Sequence, residues 1–384
     1  MPIKNRIADF ESQMIEWRHH FHKYPELAYK EINTSKKIVE LLKNFGVDRI
    51  EEGVGGTGVV GVINNGEGKS IGLRGDMDAL PIREDNEKSK YCSKNKGVMH
   101  ACGHDGHTTM LLGAAKYLSE TRNFKGKVVL IFQPAEEGFA GAKAMIEDGL
   151  LERFPIEQIY GMHNMPGLEK GILAIQEGPR LAAADNFSVD IIGKGAHGAM
   201  PSNSIDPIIC TSAIVQNLQH IVSRNSNPKE TLVLTVASFN SGNANNVIPK
   251  AAKITGTIRY YNNEIGKLAE KRFHEVVENT CKAYGANSIV EFKKGYPATI
   301  NHKEPSMFAF SSAKKVVGVK ATNKQNPMMG SEDFSYFLNE VPGAFAWIGN
   351  GDSASLHNPK YDFNDNILSI GASFLSTLAE DFLT

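Results

Sequence analysis

The chain has 384 residues, of which 41% are hydrophobic and 22% charged, and its formal net charge at pH 7 is -1. This composition excludes a disordered or fibrous chain, and the near-zero charge provides no positive field for nucleic acid or an anionic membrane. At this length we expect two domains, or one large domain that carries an insertion.

The cysteines and the N-terminal residues favour the cytoplasm. The four cysteines, Cys92, Cys102, Cys210 and Cys281, have no short paired spacing and do not predict a disulfide framework. Charged residues are interspersed with apolar ones from Lys4 onwards, so the sequence predicts no signal peptide. No apolar stretch approaches the ~20 residues of a membrane helix. We therefore expect a soluble cytoplasmic protein that binds neither nucleic acid nor membrane.

Helix and strand patterns alternate in the first part of the chain. The patterns predict amphipathic helices at the N-terminus and over 34–45, strands over 57–63, 71–73 and 127–133, and a helix over 107–120. Strands that alternate with helices predict an α/β fold, with a mostly parallel sheet and helices on both faces.

A different order begins near residue 186. A predicted strand over 187–193 is followed by a helix (208–223), two strands (231–239 and 252–261), a helix (264–284) and a strand (288–294). This βαββαβ order is that of a small ferredoxin-like α+β domain. The chain then returns to helix, strand and helix, which would complete the first sheet. We predict a first domain formed by 1–184 and 297–384, with an inserted domain over 185–296.

Predicted strands in the first domain run directly into side chains that commonly bind metal ions. The residues at these strand exits are Asp76 and Asp78, Glu136 and Glu137, His163, and His357. Ligands of an open parallel sheet gather beyond the carboxyl ends of its strands, so these distant residues can converge on one site. A further cluster, VMHACGHDGH, places Cys102 and His104 two residues apart, where both side chains can point the same way.

The mixture of donors indicates the kind of ion. A thiolate, imidazoles and carboxylates together match zinc, manganese, cobalt or nickel, and not calcium or magnesium, which prefer oxygen ligands. A single histidine beside a strand is more often a hydrogen-bonded structural residue, and a free cysteine is often a small buried hydrophobe. The coincidence of several clusters at strand ends favours metal binding over these separate explanations.

These clusters resemble a known family, the zinc or manganese amidohydrolases that include aminoacylases and carboxypeptidases, and within it the hippurate hydrolase subgroup. The matching motifs cover nearly the whole chain: RHHFHKYPEL (18–27), GLRGDMDALP (72–81), MHACGHDGHT (99–108), FQPAEEG (132–138), GMHNMP (161–166), GKGAHGAMP (193–201), NNVIP (245–249), GTIRYY (256–261), GSEDFSYF (330–337) and LHNPKYDFND (356–365). Ala196 is a small departure, because many relatives have glycine at this position.

The resemblance implies a role for each site residue. The implied ligands of two divalent ions are Cys102, His104, Glu137, His163 and His357. Glu136 would be the general base. The inserted domain would form a homodimer and act as a lid, with His197 and Asn246 reaching a substrate in the other subunit. Arg259 would anchor the substrate carboxylate, although a surface arginine at a strand end explains it equally well from the residues alone. Asp78 and Asp105 would orient ligand histidines.

The implied reaction is metal-dependent hydrolysis of the amide bond of a small N-acyl amino acid. The ions would polarise the carbonyl and lower the pKa of a water, while Glu136 takes its proton and passes it to the departing amine. After closure of the lid, His197 would help to stabilise the oxyanion. Hippurate (N-benzoylglycine), cleaved to benzoate and glycine, is the leading substrate. N-acetyl amino acids or N-acetyl-diaminopimelate would use the same machinery.

Two other classes of protein remain open. Cys102 could be the nucleophile of a cysteine hydrolase that needs no metal, with Asp105 orienting a histidine base. That mechanism leaves the other ligand-type residues without a role. A noncatalytic module that stores metal or small acids would not need a free glutamate such as Glu136 beside a ligand.

Overall fold

The structure is a computed structural model that describes residues 4–86 and 90–384. The helices are α1 (Asn5–Asp9), α2 (Glu11–Lys23), α3 (Ile32–Phe45), α4 (His104–Thr121), α5 (Glu136–Phe139), α6 (Gly141–Glu147), α7 (Leu150–Arg153), α8 (Pro207–His220), α9 (Asn263–Tyr284), α10 (Lys303–Val317), α11 (Phe334–Glu340) and α12 (Leu368–Phe382). Shorter 3-10 and π turns cover Pro201–Asn203, Ile221–Asn225, Gly318–Lys320 and Asp365–Ile367.

The strands include all those predicted from the sequence, together with several short ones that were not. They are β1 (Arg49–Val54), β2 (Gly58–Asn65), β3 (Ser70–Asp76), β4 (Gly126–Gln133), β5 (Gln158–Pro166), β6 (Leu173–Ala174), β7 (Gly178–Leu181), β8 (Ala183–Ile192), β9 (Ala196–His197), β10 (Leu232–Ser241), β11 (Val247–Ile248), β12 (Ala251–Tyr260), β13 (Asn287–Lys293), β14 (Thr299–Asn301), β15 (Ala321–Thr322) and β16 (Gly343–Gly351).

The large sheet has the strand order β1-β2-β4-β3-β5-β16-β6-β15. Its centre is parallel, because β3 pairs in parallel with β4 and β5, and β5 pairs in parallel with β16. At one edge, β1 and β2 form an antiparallel pair, and β2 is also antiparallel to β4. The predicted α/β fold with a mostly parallel sheet is confirmed, and the antiparallel edge is an addition to it.

Helices cover both faces of this sheet. Successive side chains of a strand point to opposite faces, and β3 shows both environments. A β-carbon on Gly75 would lie 3.5 Å from the β-carbon of Leu111 in α4, so this face is packed closely against that helix. The neighbouring Arg74 lies on the other face, with its guanidinium 5.7 Å from the ring centre of Phe334 at the start of α11. The predicted arrangement of helices is therefore confirmed.

The second sheet is antiparallel and has the order β10-β12-β8-β13. Its strands and the helices α8 and α9 follow one another as βαββαβ, the ferredoxin-like order predicted from the sequence. A separate apolar core joins the sheet to the helices. Phe187 of β8 and Phe273 of α9 contact each other in this core, with 4.5 Å between their ring centres.

The chain divides into two compact units. The first contains the residues up to Gly178 together with Ile300–Asn326 and Asp333–Thr384, and the second contains Pro179–Thr299 and Pro327–Glu332. The predicted insertion, 185–296, lies within the second unit. The short segment Pro327–Glu332 was not predicted to belong to that unit. Its Met328 donates a backbone hydrogen bond of 2.9 Å to the carbonyl of Arg180.

Within the described ranges, no helix combines the length and the apolar character required to cross a membrane. All four cysteines are free. Cys210 and Cys281 lie in the core of the second unit, with 3.9 Å between their sulfur atoms.

Candidate metal centre

The predicted ligands lie at the carboxyl-terminal edge of the large sheet. His163 lies in β5, Glu136 and Glu137 follow β4, His357 follows β16, and Cys102 and His104 lie at the start of α4. Parallel strands bring their carboxyl ends to one edge, which explains why residues more than 250 positions apart meet there.

Gly103 shapes the loop that carries two of these ligands. Its φ is 88°, a left-handed value that residues with a β-carbon rarely adopt. A β-carbon at this position would also lie 2.2 Å from the side-chain nitrogen of Asn164 and 2.6 Å from the hydroxyl of Tyr361. Only glycine allows the loop to pass this closely beneath Asn164, which fixes the start of α4.

The donor atoms gather in overlapping groups. Sets of donors within 4.8 Å of one another are Cys102, His104 and His163; Cys102, Glu137 and His357; and His104, Glu136 and Glu137. The sulfur of Cys102 lies 3.3 Å from Nε2 of His163. Oε1 of Glu137 lies 3.2 Å from Nε2 of His357 and 3.9 Å from Nε2 of His104. Two ligands of one tetrahedral zinc ion would lie about 3.5 Å apart, so these separations fit shared coordination.

His104 has the environment of a ligand. Its Nδ1 lies 3.2 Å from Oδ1 of Asp78, which leaves Nε2 directed towards the other donors. Nε2 is buried and makes no hydrogen bond to any described residue. Burial lowers the pKa of His104, but Asp76, Asp78 and Glu137 together raise it to about 10. This position therefore favours a positive charge, and a divalent ion would supply one.

Cys102 lies in surroundings that oppose a free thiolate. Burial raises the pKa of its thiol well above the usual value, and Glu137 and Glu136 raise it further. A reactive cysteine normally requires a positive environment that lowers the thiol pKa. The negative side chains around this sulfur fit a metal ligand and disfavour the cysteine hydrolase considered from the sequence.

Asp76, one of the metal-type residues predicted at the strand exits, pairs with His107 in a supporting network that the sequence did not predict. Nδ1 of His107 lies 2.7 Å from Oδ1 of Asp76, and its Nε2 accepts a hydrogen bond of 2.9 Å from the amide of Asn164. The side-chain amide of Asn164 in turn donates to the carbonyl of Cys102 at 2.7 Å. Both nitrogens of His107 are thus engaged, so it orients its neighbours and is not available as a ligand.

A buried arginine connects Asp76 to Asp333. Arg74 donates to Oδ2 of Asp76 at 2.7 Å and to Oδ1 of Asp333 at 3.2 Å. Burial raises the pKa of Asp76, but Arg74, His104 and His107 more than offset this, so the pKa lies well below its usual value. The amide of Asp333 lies 3.4 Å from Oε1 of the buried Glu136. The motif GSEDFSYF thus contributes a hydrogen-bond donor to the candidate base.

The two predicted orienting carboxylates have different environments. Asp78 contacts the ligand histidine His104, as described above. Asp105 contacts no ligand histidine and is instead bonded to Nε of Arg18 at 3.0 Å and to Nδ1 of His22 at 2.8 Å. The interpretation of Asp105 as a direct partner of a ligand histidine is therefore corrected, because its carboxylate contacts Arg18 and His22 of α2.

The remaining predicted residues belong to the second unit. His197 lies on β9, and Asn246 directly precedes β11, the strand that pairs with β9. Both side chains are exposed, and the amide of Gly198 donates to the carbonyl of Asn246 at 2.8 Å. Arg259 lies on β12, and its Nε donates to the hydroxyl of Thr257 at 3.2 Å. Burial lowers the pKa of Arg259. The structure thus places His197 beside Asn246 and holds Arg259 on a separate strand.

The fold and the donor groups correspond to a known family of proteins. Residues 72–381 match the model of peptidase family M20/M25/M40, and the chain belongs to this family. It is 42% identical over 385 residues to the hippurate hydrolase of Campylobacter jejuni subsp. jejuni serotype O:2, with all of both chains covered. It is also 39% identical over 379 residues to the N-acetyl-L-cysteine deacetylase of Bacillus subtilis, and the match covers 98% of this chain and 90% of the relative.

A solved structure shows the same fold. The crystal structure of a dinuclear metal-binding peptidase of the M20 family from Bacillus subtilis has a TM-score of 0.86 and 32% identity to this chain, and 98% of this chain and 99% of that one are covered. The family resemblance predicted from the sequence is confirmed.

Proposed function

We propose that this protein is a metal-dependent amidohydrolase that cleaves the amide bond of N-acyl amino acids, with hippurate as the leading substrate. The observation that carries the proposal is the gathering of a thiol, imidazoles and carboxylates at the rim of one sheet, with a second buried glutamate beside the ligand glutamate. The full-length similarity to a hippurate hydrolase supports the same reaction.

The proposed ligands of two divalent ions are Cys102, His104, Glu137, His163 and His357. When bound, the ions would polarise the scissile carbonyl and increase the acidity of a water molecule. The donor chemistry favours manganese, zinc, cobalt or nickel. Asp78 accepts from His104 and from the amide of Glu137, so it holds two of the ligands in place.

Glu136 is the proposed general base. It is adjacent to the ligand Glu137 in the chain, and its buried carboxylate lies within 3.4 Å of the amide of Asp333. A base held in this way can take a proton from water and deliver it to the departing amine. A noncatalytic module that stores metal would not need this second carboxylate.

An exposed aromatic pair, one member of which lies on the same short helix as Glu136, supports a substrate with an aromatic acyl group. Phe139 follows Glu137 by two residues, and 62% of its surface is exposed. The hydroxyl of Tyr29 donates to the carbonyl of Phe139 at 3.1 Å, and the two rings meet edge to face with 6.4 Å between their centres. A benzoyl group would find apolar surface there. The similarity to an N-acetyl-L-cysteine deacetylase supports N-acetyl amino acids as the alternative substrates.

The second unit supplies the remaining proposed roles. Arg259 would bind the substrate carboxylate through its forked guanidinium. His197 and Asn246 would act on a substrate held by the partner subunit of a homodimer, with His197 stabilising the oxyanion. The exposure of both side chains supports a role towards another molecule. Free cysteines support a cytoplasmic location.

Metal removal tests the proposed function directly. The protein is stripped with a chelator, divided, and reconstituted separately with manganese, zinc, cobalt or nickel, and the release of benzoate and glycine from hippurate is followed by chromatography. We expect hydrolysis only after reconstitution. Hydrolysis that survives complete removal of metal would overturn the proposal and support a thiol mechanism.

A variant of the base separates catalysis from metal storage. Glu136→Gln should retain both ions and lose at least about 100-fold in turnover, because general base catalysis contributes about that much or more. Glu67→Gln, which changes an exposed glutamate, serves as the matched control and should behave as wild type. Full turnover in Glu136→Gln would show that the base is wrongly assigned.

A further inference from the structure

Arg18 of α2 lies in the N-terminal motif RHHFHKYPEL, to which the proposed reaction assigns no role. Its side chain is completely buried. Nε lies 3.0 Å from Oδ2 of Asp105, Nη2 lies 2.5 Å from Oδ1 of Asp362, and Nη1 lies 3.5 Å from Oδ1 of Asp365. The guanidinium also packs against Tyr91, 4.6 Å from the ring centre. One cation therefore contacts three carboxylates.

These carboxylates belong to two chain segments that carry proposed ligands, called the ligand loops below: residues 101–105, which lead into the first turn of α4, and residues 357–365, which follow β16. Asp105 directly follows His104 at the start of α4, whereas Asp362 and Asp365 lie in the segment that follows His357. A backbone hydrogen bond of 2.8 Å from His357 to the carbonyl of Ala101 joins the same two loops. Arg18 is thus a second connection between these loops, and it is not itself a proposed ligand.

The geometry requires a guanidinium. Arginine presents several N–H donors in a rigid planar fork, whereas lysine offers one compact charge. Here different nitrogens of the fork face different loops. Without the cation, the buried carboxylate of Asp105 would keep only His22 as a side-chain partner among the described residues, 2.8 Å away, and nothing would offset its repulsion from Asp362. The two loops would then be driven apart.

We propose that Arg18 is a positioning residue that sets the spacing of the loops bearing Cys102 and His104 on one side and His357 on the other, and thereby the affinity for metal. The inference rests on the proposed function only in taking these residues as ligands. Arg18 itself touches neither ion nor substrate.

Binding of cobalt tests this role without reference to turnover. Cobalt is titrated into metal-free wild type, Arg18→Met and Arg18→Lys, and the affinity and the thiolate-to-cobalt absorption band are recorded. We expect Arg18→Met to bind cobalt about 10- to 100-fold more weakly, with an altered band, as for other residues that hold ligands in place. Arg18→Lys should restore only part of the affinity, because one ammonium cannot bridge both loops.

A matched control separates positioning from a general loss of stability. Arg122, at the end of α4 that is remote from His104, forms a forked pair with Asp48, with both contacts at 2.9 Å. Arg122→Met also removes an arginine fork and should keep the wild-type affinity and band, whatever its midpoint of thermal unfolding. Wild-type affinity and an unchanged band in Arg18→Met would overturn the inference.

A milder variant covers the case in which Arg18→Met does not fold. Asp362→Asn removes one of the two charged contacts that residues 357–365 make with Arg18, at a side chain that is 44% exposed, while the contact with Asp365 remains. It should weaken cobalt binding in the same direction and by a smaller factor. Unchanged binding in that variant would contradict the inference. The wild-type protein reports separately on the reaction: if it binds cobalt at the thiolate but does not hydrolyse N-acyl amino acids, the proposed function fails and the role of Arg18 stands.

Discussion

The amide nitrogen of Glu137 donates a hydrogen bond of 3.0 Å to Oδ2 of Asp78. The other oxygen of the same carboxylate lies 3.2 Å from Nδ1 of His104. Asp78 follows β3, Glu137 follows β4, and His104 begins α4. A single buried carboxylate therefore connects proposed ligands that come from different elements of the sheet rim.

Asp78→Asn should weaken metal binding by about 10- to 100-fold. His104 and the amide of Glu137 face different oxygens of Asp78. Asparagine replaces one of these oxygens by an NH2 group, which cannot accept, so one of the two donors loses its acceptor. Competition with a metal-sensitive fluorescent chelator measures the affinity. Asp190→Asn in the second unit, at a side chain that is half-buried and lies 3.3 Å from Lys253, is the control. Equal affinities in the two variants would contradict the orienting role of Asp78.

Arg259→Met should raise KM for N-acyl amino acids by about 10- to 100-fold with little change in kcat. A hydrogen bond to a charged group contributes about 1.5–3 kcal/mol, and here it would bind the substrate carboxylate equally in the ground and transition states. Arg259→Lys should lie between wild type and the methionine variant. Steady-state kinetics give both constants. An analogue that lacks the carboxylate should not distinguish the variants, and a large difference with that analogue would place Arg259 elsewhere in the mechanism.

His197→Ala should reduce kcat by about 100-fold, the usual effect of removing one oxyanion donor. The metal content should be unchanged, because the proposed ligands all belong to the first unit. Turnover of hippurate and elemental analysis of the purified variant provide the two readouts. His274→Ala, an exposed histidine of α9, is the control. Full activity of the His197→Ala protein would show that His197 takes no part in the reaction.

Glu31→Gln should change how stability depends on pH. Burial raises the pKa of Glu31 to about 7, although hydrogen bonds from Thr57 (2.6 Å) and the amide of Ala135 (3.0 Å) act in the opposite direction. The folded protein therefore holds this proton more tightly than the unfolded chain, in which the pKa is near 4.5. The resulting stability is fully present below that value and is lost as the pH rises through about 7.

The neutral glutamine keeps this contribution at high pH. Between about pH 5 and about pH 8, the fall in the free energy of unfolding should be smaller in Glu31→Gln than in wild type by roughly 3 kcal/mol. Urea denaturation at a series of pH values, with saturating metal throughout, measures it. The exposed Glu67→Gln should retain the wild-type dependence. Parallel pH curves for wild type and Glu31→Gln would show that Glu31 does not titrate in this range.

The sequence predicted the elements whose patterns are long and periodic, and these include the strands that end at the proposed ligands. It also predicted that the ligands would converge, because the ends of parallel strands share one edge. Two-residue strands such as β6 and β15 carry no periodic pattern, and neither does Pro327–Glu332, which joins the second unit through backbone hydrogen bonds.

Buried polar networks were the least predictable part of the site. The sequence shows that His107 and Asp105 flank a cluster of ligand-type residues, but not which partners they meet. Their partners come from β3, β5 and α2, so the contacts depend on the complete tertiary structure. The motif RHHFHKYPEL was recognisable in the sequence, yet Arg18 meets Asp105 and Asp362, 87 and 344 residues away, only in the folded chain.

The proposed ligands and the proposed substrate anchors lie in separate units with separate cores. Replacements on β9, β11 or β12 can therefore accumulate without disturbing the ion-binding edge of the large sheet. We expect substitutions among the proposed substrate anchors to change the preferred acyl amino acid while the metal content is retained. Relatives with this division between two units could therefore differ in substrate and still share one hydrolytic reaction.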